Sequence, residues 1–272
     1  MDYYLIIVNY NNSGVTIDCL ESTEKLSEKK FSKIVVVDND SNTVDKANLY
    51  HYIQEKSHVN IELLNLDSNI GYFPAINKGI IALELFGRTD FFLVIGNNDL
   101  IFPTNFLEEL DKIVVNENIY VLSPDIIKPN GIHQNPHVID RISFFRRLLY
   151  KFYFFSYSVA YLLTFLGKLL SLNRRRISKS EYKKEQIIRM GFGACYIILP
   201  QFLKHVGLLD ESVFLMGEEA LLGNQVYSNK GKILYTPRIH VYHQDHSTFN
   251  KMPRRETYYI TRKSYSIYKR YL

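Results

Sequence analysis

The sequence predicts an α/β fold built on a doubly wound, mostly parallel sheet. Three observations lead there. Short β-branched runs alternate with stretches of helical spacing through the first half of the chain, the order that generates parallel strands with helices on both faces. Those runs end in Asn, Asp or Gly instead of further apolar residues. Apolar residues make up 46% and charged ones 22% of the 272 residues, a balance that builds a core and excludes intrinsic disorder. The length suits one large α/β domain or two small ones.

Taken in order, Tyr3–Val8 is the first strand, closing on Asn9-Tyr10-Asn11. Helical spacing and charges fill Val15 to Lys30 before a second strand, Lys33–Val37, which closes on Asp38-Asn39-Asp40-Ser41. Ile61–Leu66 is a third strand; the turn Asn69-Ile70-Gly71-Tyr72 then leads into a helix through Ala75–Phe86. Asp90–Ile95 is a fourth, closed by Gly96-Asn97-Asn98-Asp99. In such sheets ligands bind beyond the carboxyl ends of the strands, where these polar residues collect. Beyond Pro103, Asn105–Asn116 reads as a helix and Ile119–Ser123 as a strand. A second block begins at Gly191, with strand Ala194–Leu199, helix Pro200–Val206, the adjacent carboxylates Glu218-Glu219, and strands Gly231–Thr236 and Ile239–His243. The tail Arg254–Leu272 is basic and Tyr-rich with helix-like spacing.

Two cysteines, Cys19 and Cys195, offer no disulfide framework and read as core thiols in a reducing, cytoplasmic setting. The N-terminus carries no basic region followed by a long apolar core, so no secretory signal is expected. The net charge of +5 conceals an asymmetry. Arg141 to Arg189 holds twelve Lys/Arg against two Glu, leaving the rest of the chain mildly acidic. Inside that segment Phe152–Gly167 has no charge for sixteen residues, with Arg146, Arg147 and Lys151 before it and Lys168 and Arg174–Arg176 after. As a helix it would span about 24 Å, short of the roughly 30 Å hydrocarbon core, and both flanks are positive. The segment is therefore expected to lie on an anionic membrane surface, peripheral on the inner face of the cell membrane. A buried helical hairpin or a subunit contact is the alternative. Nucleic acid is not an expected partner, because a long apolar run interrupts the positive charge.

The residues at the strand ends carry a resemblance. Val8-Asn9-Tyr10-Asn11, Val36-Val37-Asp38-Asn39-Asp40-Ser41, Asn69-Ile70-Gly71-Tyr72 with Asn77-Lys78-Gly79, and Asn97-Asn98-Asp99 are followed by Val206-Gly207-Leu208-Leu209-Asp210-Glu211, Glu218-Glu219, His243 with Ser247, and Tyr258-Tyr259-Ile260-Thr261-Arg262. In this order the sequence resembles family 2 glycosyltransferases of the GT-A fold, a Rossmann-like sheet, and especially the rhamnosyltransferase-like branch that builds bacterial surface polysaccharides. The resemblance divides the chain into a nucleotide-sugar half (1–140), a basic amphipathic insert (141–189), an acceptor and catalytic half (190–250) and a C-terminal basic helix (251–272).

The resemblance implies an inverting transfer from a UDP- or dTDP-sugar to a hydroxyl of a glycan or lipid-linked glycan. Asn9, Tyr10, Asp38, Asn69, Gly71, Asn77, Asn98 and Arg262 would meet the nucleotide. Tyr10 would stack on the pyrimidine and Asp38 accept from its imide N–H; the plain alternatives are a surface aromatic and a helix cap. Arg262 is as well explained by a helix-surface charge. Asn97-Asn98-Asp99 stands where the family has Asp-x-Asp, so Asp99, with His243, would hold Mn2+ or Mg2+, hard cations that share oxygen ligands with a diphosphate. Asn97 replaces the first carboxylate and weakens that site. Glu219 would be the general base that deprotonates the acceptor, with Glu218 its neighbour. Leu221 stands where the family often has Asp, and Lys263 where it usually has Asn. Two rivals are a nucleotidyltransferase, whose Gly-rich cationic phosphate loop is missing from Asn9–Gly14, and a non-catalytic membrane-bound partner protein.

Overall fold

The computed structural model describes residues 1–55, 60–169, 181–244 and 254–272. In chain order the elements begin β1 (Asp2–Asn9), α1 (Ser13–Glu24), β2 (Lys33–Asp38), α2 (Thr43–Glu55), β3 (Ile61–Asn65), α3 (Tyr72–Ala82) and β4 (Phe91–Asn97). They continue with β5 (Leu100–Ile101), α4 (Phe106–Asp111), β6 (Ile119–Ile127), α5 (Phe144–Tyr153), α6 (Tyr157–Leu169), β7 (Gln186–Ile188) and β8 (Cys195–Ile198). The last are α7 (Pro200–His205), α8 (Glu218–Ser228), β9 (Lys232–His243) and α9 (Arg254–Tyr268).

One nine-stranded sheet runs β3-β2-β1-β4-β8-β6-β9-β5, with β7 also on β9. The pairs among β1 to β4 are parallel, as is β6 with β9, while β8 runs antiparallel to both β4 and β6. Because β8 inserts between β4 and β6, the expected halves 1–140 and 190–250 are interleaved strands of one sheet. Alternation along β1 sends Tyr3, Leu5 and Ile7 to one core layer with Cys19, Leu20, Phe106 and Leu110. Tyr4 and Ile6 go to the other with Ile76, Ile80, Leu222 and Val226, the period-2 rule of a strand buried on both faces. Both cysteines are fully buried, and burial pushes their thiols far above the usual range.

Four departures from the expected elements have local causes. No helix is predicted between the second and third strands, yet α2 fills that stretch; only Asp45, Leu49 and Ile53 of it are buried, too sparse a stripe to read by period. The strands expected at Gly231–Thr236 and Ile239–His243 are one strand, β9, whose register on β6 shifts between Pro124 and Asp125 around Pro237. The carboxylates Glu218-Glu219 open a helix, α8. The uncharged run Phe152–Gly167 does not form one helix: α5 caps at Phe154 and α6 starts at Tyr157. Among the described residues no helix is long and apolar enough to cross a membrane.

Register decides what meets at the sheet's carboxyl edge. Asn9 lies opposite Asp38, and Val8 opposite Asn97. Leu100 pairs with His243, which brings Asp99 beside a histidine 144 positions away in the chain.

Candidate active site

At the β1 end the polar residues form a closed frame. The Asn9 amide lies 2.8 Å from Asp38 Oδ2, 3.0 Å from Ser41 Oγ and 2.7 Å from Asp45 Oδ2, and its Oδ1 accepts from Thr16 Oγ1 at 2.8 Å. Asp45 also accepts from the backbone N–H groups of Asn12 and Ser13, covering the start of α1. Burial alone would raise the Asp45 carboxyl, but these donors, Asn9 first, hold it below its ordinary value. Asp38 accepts from Ser41 N–H at 2.9 Å, in the turn before α2, while Asn42 caps that helix by accepting from Asp45 N–H at 3.1 Å. Asn9 and Asp38 are wholly buried, and their hydrogen bonds tie the β1–α1 loop to the segment that leads into α2. Tyr10 is half-exposed in the β1–α1 loop, as are Asn11 and Asn12. Asn98 joins the frame through Thr16 at 2.8 Å and stays half-exposed. Asp45 and Thr16 carried no signal that sequence reasoning used, because their partners lie on other elements.

A second frame ties the nucleotide half to the C-terminal block. Asn39 donates to Asn69 Oδ1 at 2.9 Å and to the Gly71 carbonyl at 3.1 Å, and accepts from Ile70 N–H. Gly71 has φ +96°, and a Cβ there would stand 2.4 Å from the Phe214 carbonyl oxygen; the position requires glycine both for its dihedral and for that approach. Asn77 is buried and binds the Leu209 backbone in both directions, at 2.9 and 3.0 Å, as well as Glu211 at 2.8 Å. Its side chain therefore clamps α3 to the segment leading to α8. Of the expected nucleotide contacts, Asn77 and Asn9 are the two most fully engaged within the protein.

At the centre, Asp99 is 4% exposed and His243 also 4%. His243 Nε2 lies 3.2 Å from Asp99 Oδ1, yet that oxygen has no directed hydrogen bond. His243 Nδ1 lies 2.7 Å from Gln134 Oε1. In the tautomer that gives Nδ1–H to Gln134, Nε2 is an acceptor beside a carboxylate oxygen, and the two stand together with no proton between them. A cation between them resolves that conflict. Ligands about 2.2 Å from one ion, at adjacent octahedral positions, stand about 3.1 Å apart, close to the observed separation. The residues present therefore fit a divalent cation that takes two ligands from the chain. Among the described residues no cluster of three or more His, Cys, Asp or Glu supplies a complete protein cage.

In the C-terminal block, left-handed Gly217 (φ +102°) precedes α8. Glu218 is buried, accepts from Met216 N–H at 3.0 Å, and is pushed up to about 8 by burial and then by the neighbouring Glu219 charge. Glu219 is half-exposed, and its Oε1 accepts from Gly193 N–H at 3.3 Å. The Gly191–Gly193 loop is itself fixed by buried Asn135, which accepts from Phe192 N–H and donates to Ser123 and Pro124. Tyr72 is the residue whose role sequence reasoning missed. Its hydroxyl is buried without a hydrogen-bond partner, and burial, reinforced by the nearby acidic groups Cys195, Glu218, Asp99 and Glu219, holds the phenol far above its usual range. The phenol thus lies near both Asp99 and the carboxyls that open α8. Arg262 is exposed on α9, consistent with the surface-charge alternative. His240 is half-buried against Tyr242, and His246 and Ser247 lie outside the described residues.

The profile of the Glycosyl transferase family 2 matches residues 4–179. No curated protein sequence matches the chain. Among solved structures it is similar to GalNAc-T7 with UDP, GalNAc and Mn2+ (17% identity, TM-score 0.63, covering 91% of this chain and 44% of that one). It is also similar to the mannosyltransferase PcManGT of Pyrobaculum calidifontis with GDP-Man and Mn2+ (13%, 0.58, 97% and 64%). A third is S. aureus TarS 1-349 with UDP-GlcNAc (16%, 0.56, 91% and 59%). The chain spans between 44% and 64% of the length of these structures. At such identities the likeness establishes the GT-A-like fold.

Proposed function

This chain belongs to glycosyl transferase family 2, and we propose that it moves a sugar from a UDP- or dTDP-sugar to a hydroxyl of a glycan or lipid-linked glycan, with inversion, in the cytoplasmic synthesis of a bacterial surface polysaccharide. One observation carries the reading furthest: register brings the Asp99–His243 acceptor pair to the same edge as the carboxylates that open α8, with the unpartnered Tyr72 hydroxyl in the field of both. The nucleotide sugars and Mn2+ in the similar structures support a nucleotide-sugar donor and a divalent cation.

In this reading Tyr10 stacks on the base, and Asn98 and the Asn69–Gly71 backbone border the ribose and diphosphate. Asn9, Asp38 and Asn77 act through the loops they fix, and Arg262 would reach a phosphate only if α9 closed over the donor. Asp99 and His243 would hold Mn2+ or Mg2+, whose charge offsets that of the diphosphate. Glu219, held by Gly193 N–H, accepts the proton of the acceptor hydroxyl. The hydroxyl oxygen bonds to the anomeric carbon as the bond to the diphosphate oxygen breaks on the opposite face, which inverts that centre. Glu218 stays protonated at neutral pH, so it places no second negative charge beside the base.

The test is turnover of a panel of UDP- and dTDP-sugars with Mn2+, comparing wild type with Glu219→Gln. Loss of a general base should lower kcat by about 10²- to 10⁴-fold while calorimetry still reports nucleotide binding. A chain that neither binds a nucleotide nor turns over any donor would overturn the reading and favour the non-catalytic partner.

A further inference from the structure

The helical pair α5–α6 is amphipathic in the wrong sense for a protein surrounded by water. On α5, Phe144, Phe145, Leu148, Leu149 and Phe152 are 73%, 81%, 39%, 51% and 56% exposed. At 100° per residue these positions span about 140° of the helix surface. The opposite side faces the protein: Tyr150 meets Tyr265 edge-on at 6.5 Å, and Tyr153 lies 6.2 Å from Tyr258. On α6 the pattern recurs, with Tyr161, Leu162, Phe165 and Leu166 exposed and Ala160 buried. Phe155, in the turn between the two helices, is 72% exposed. Of the 22 large apolar side chains exposed among the described residues, ten fall between Phe144 and Leu166. Scattered exposed leucines need no explanation, but two adjoining helices that each expose an apolar stripe require a partner.

Charge identifies the partner. Arg146 borders the α5 stripe on one side, and Arg147 and Lys151 on the other. From Arg141 to Ser180 the sequence has nine Lys/Arg and no Asp or Glu. A second copy of the chain would set two such positive faces against each other. An anionic bilayer surface instead offers hydrocarbon to the stripe and headgroup charge to its borders, and no described helix is of a kind to cross the bilayer. We propose that α5–α6 is an interfacial anchor that docks the protein on an anionic lipid surface through the Phe144–Phe152 stripe.

The anchor is coupled to the reaction centre. Tyr150 of α5 packs with Ala220 of α8 and with Tyr265 and Tyr268 of α9 in one small core. Ser264 of α9 donates to the Leu215 carbonyl at 2.6 Å, and the Tyr268 ring abuts Gly217, the residue before Glu218. Docking therefore holds the α8 carboxylates at a fixed place relative to the lipid plane, which suits an acceptor tethered in that plane. This last step rests on the transfer reading; the docking itself does not.

The test is co-sedimentation with phosphatidylcholine vesicles, with and without about 30% phosphatidylglycerol. The wild type should sediment with the anionic vesicles, and added salt should weaken binding. The double variant Phe145→Asp/Leu149→Asp and, separately, Arg147→Gln/Lys151→Gln should each lower the bound fraction about tenfold or more with thermal unfolding unchanged. Anionic binding undiminished in the first pair, or equal binding to neutral vesicles, would overturn the proposal. So would the absence of vesicle binding, whether or not the chain self-associates. Self-association abolished by Phe145→Asp/Leu149→Asp would give the face to a second copy. Transfer to a soluble acceptor should be unaffected in either variant, which separates failure of docking from failure of the transfer reading.

Discussion

Glu218→Gln should make the protein more stable at neutral pH, and the structure fixes the size of the effect. The Glu218 carboxyl ordinarily titrates near 4.5, but burial and the Glu219 charge push it up to about 8. A carboxyl raised on folding favours the folded state most at pH values below 4.5, and that contribution disappears as the pH climbs through 8. At pH 7 the unfolded chain has released this proton while the folded chain retains it. The gap of about 2.5 pH units, at about 1.4 kcal/mol each, costs about 3 kcal/mol. Glutamine has the shape of the protonated acid, can still accept from Met216 N–H, and has no proton to bind on folding. Thermal unfolding of wild type and Glu218→Gln between pH 4.5 and 8.5 is the assay. The curves should converge near pH 4.5 and separate steadily above it, the variant melting higher by several degrees at pH 7. Parallel curves, or a variant that melts lower throughout, would show that Glu218 is ionised in the folded protein and refute the argument. The same result would remove the basis for calling it a neutral neighbour of Glu219.

Asn9→Ala should cost about 3 kcal/mol in urea unfolding, because it strips donors from the buried Asp38 and Asp45 carboxylates; a loss under about 0.5 kcal/mol would show that the frame is dispensable. Tyr72→Phe should leave the melting temperature in place, since the hydroxyl makes no hydrogen bond, but lower kcat/KM for the donor about tenfold. Unchanged kinetics would make that phenol a packing residue. Gln134→Ala should weaken Mn2+ binding about 10- to 100-fold by releasing the His243 ring, read by metal titration of the nucleotide complex. Equal affinity in variant and wild type would exclude His243 as an oriented ligand.

Along the chain, local chemistry determined a great deal. The β-branched runs set strands β1 to β4, and their polar ends marked the edge where a ligand would sit, because strand period and turn composition are properties of neighbouring residues. Motif order was likewise legible and pointed to the family. Only the tertiary structure decided which of those polar ends remain free. Asn9, Asp38 and Asn77 look like ligand contacts in sequence, and the fold also gives each of them protein partners far along the chain, 29 positions away for Asn9 and Asp38 and up to 134 for Asn77. Tyr72 shows the opposite: an ordinary turn aromatic in sequence, it becomes a buried donor without a partner beside Cys195, Asp99 and the carboxyls of α8. The apolar run of the insert was visible as composition, but which side of α5 faces outward depended on where α9 packs. Hydrogen-bond satisfaction and burial are set by non-local contacts, and a linear pattern does not encode which of two amphipathic faces finds the core.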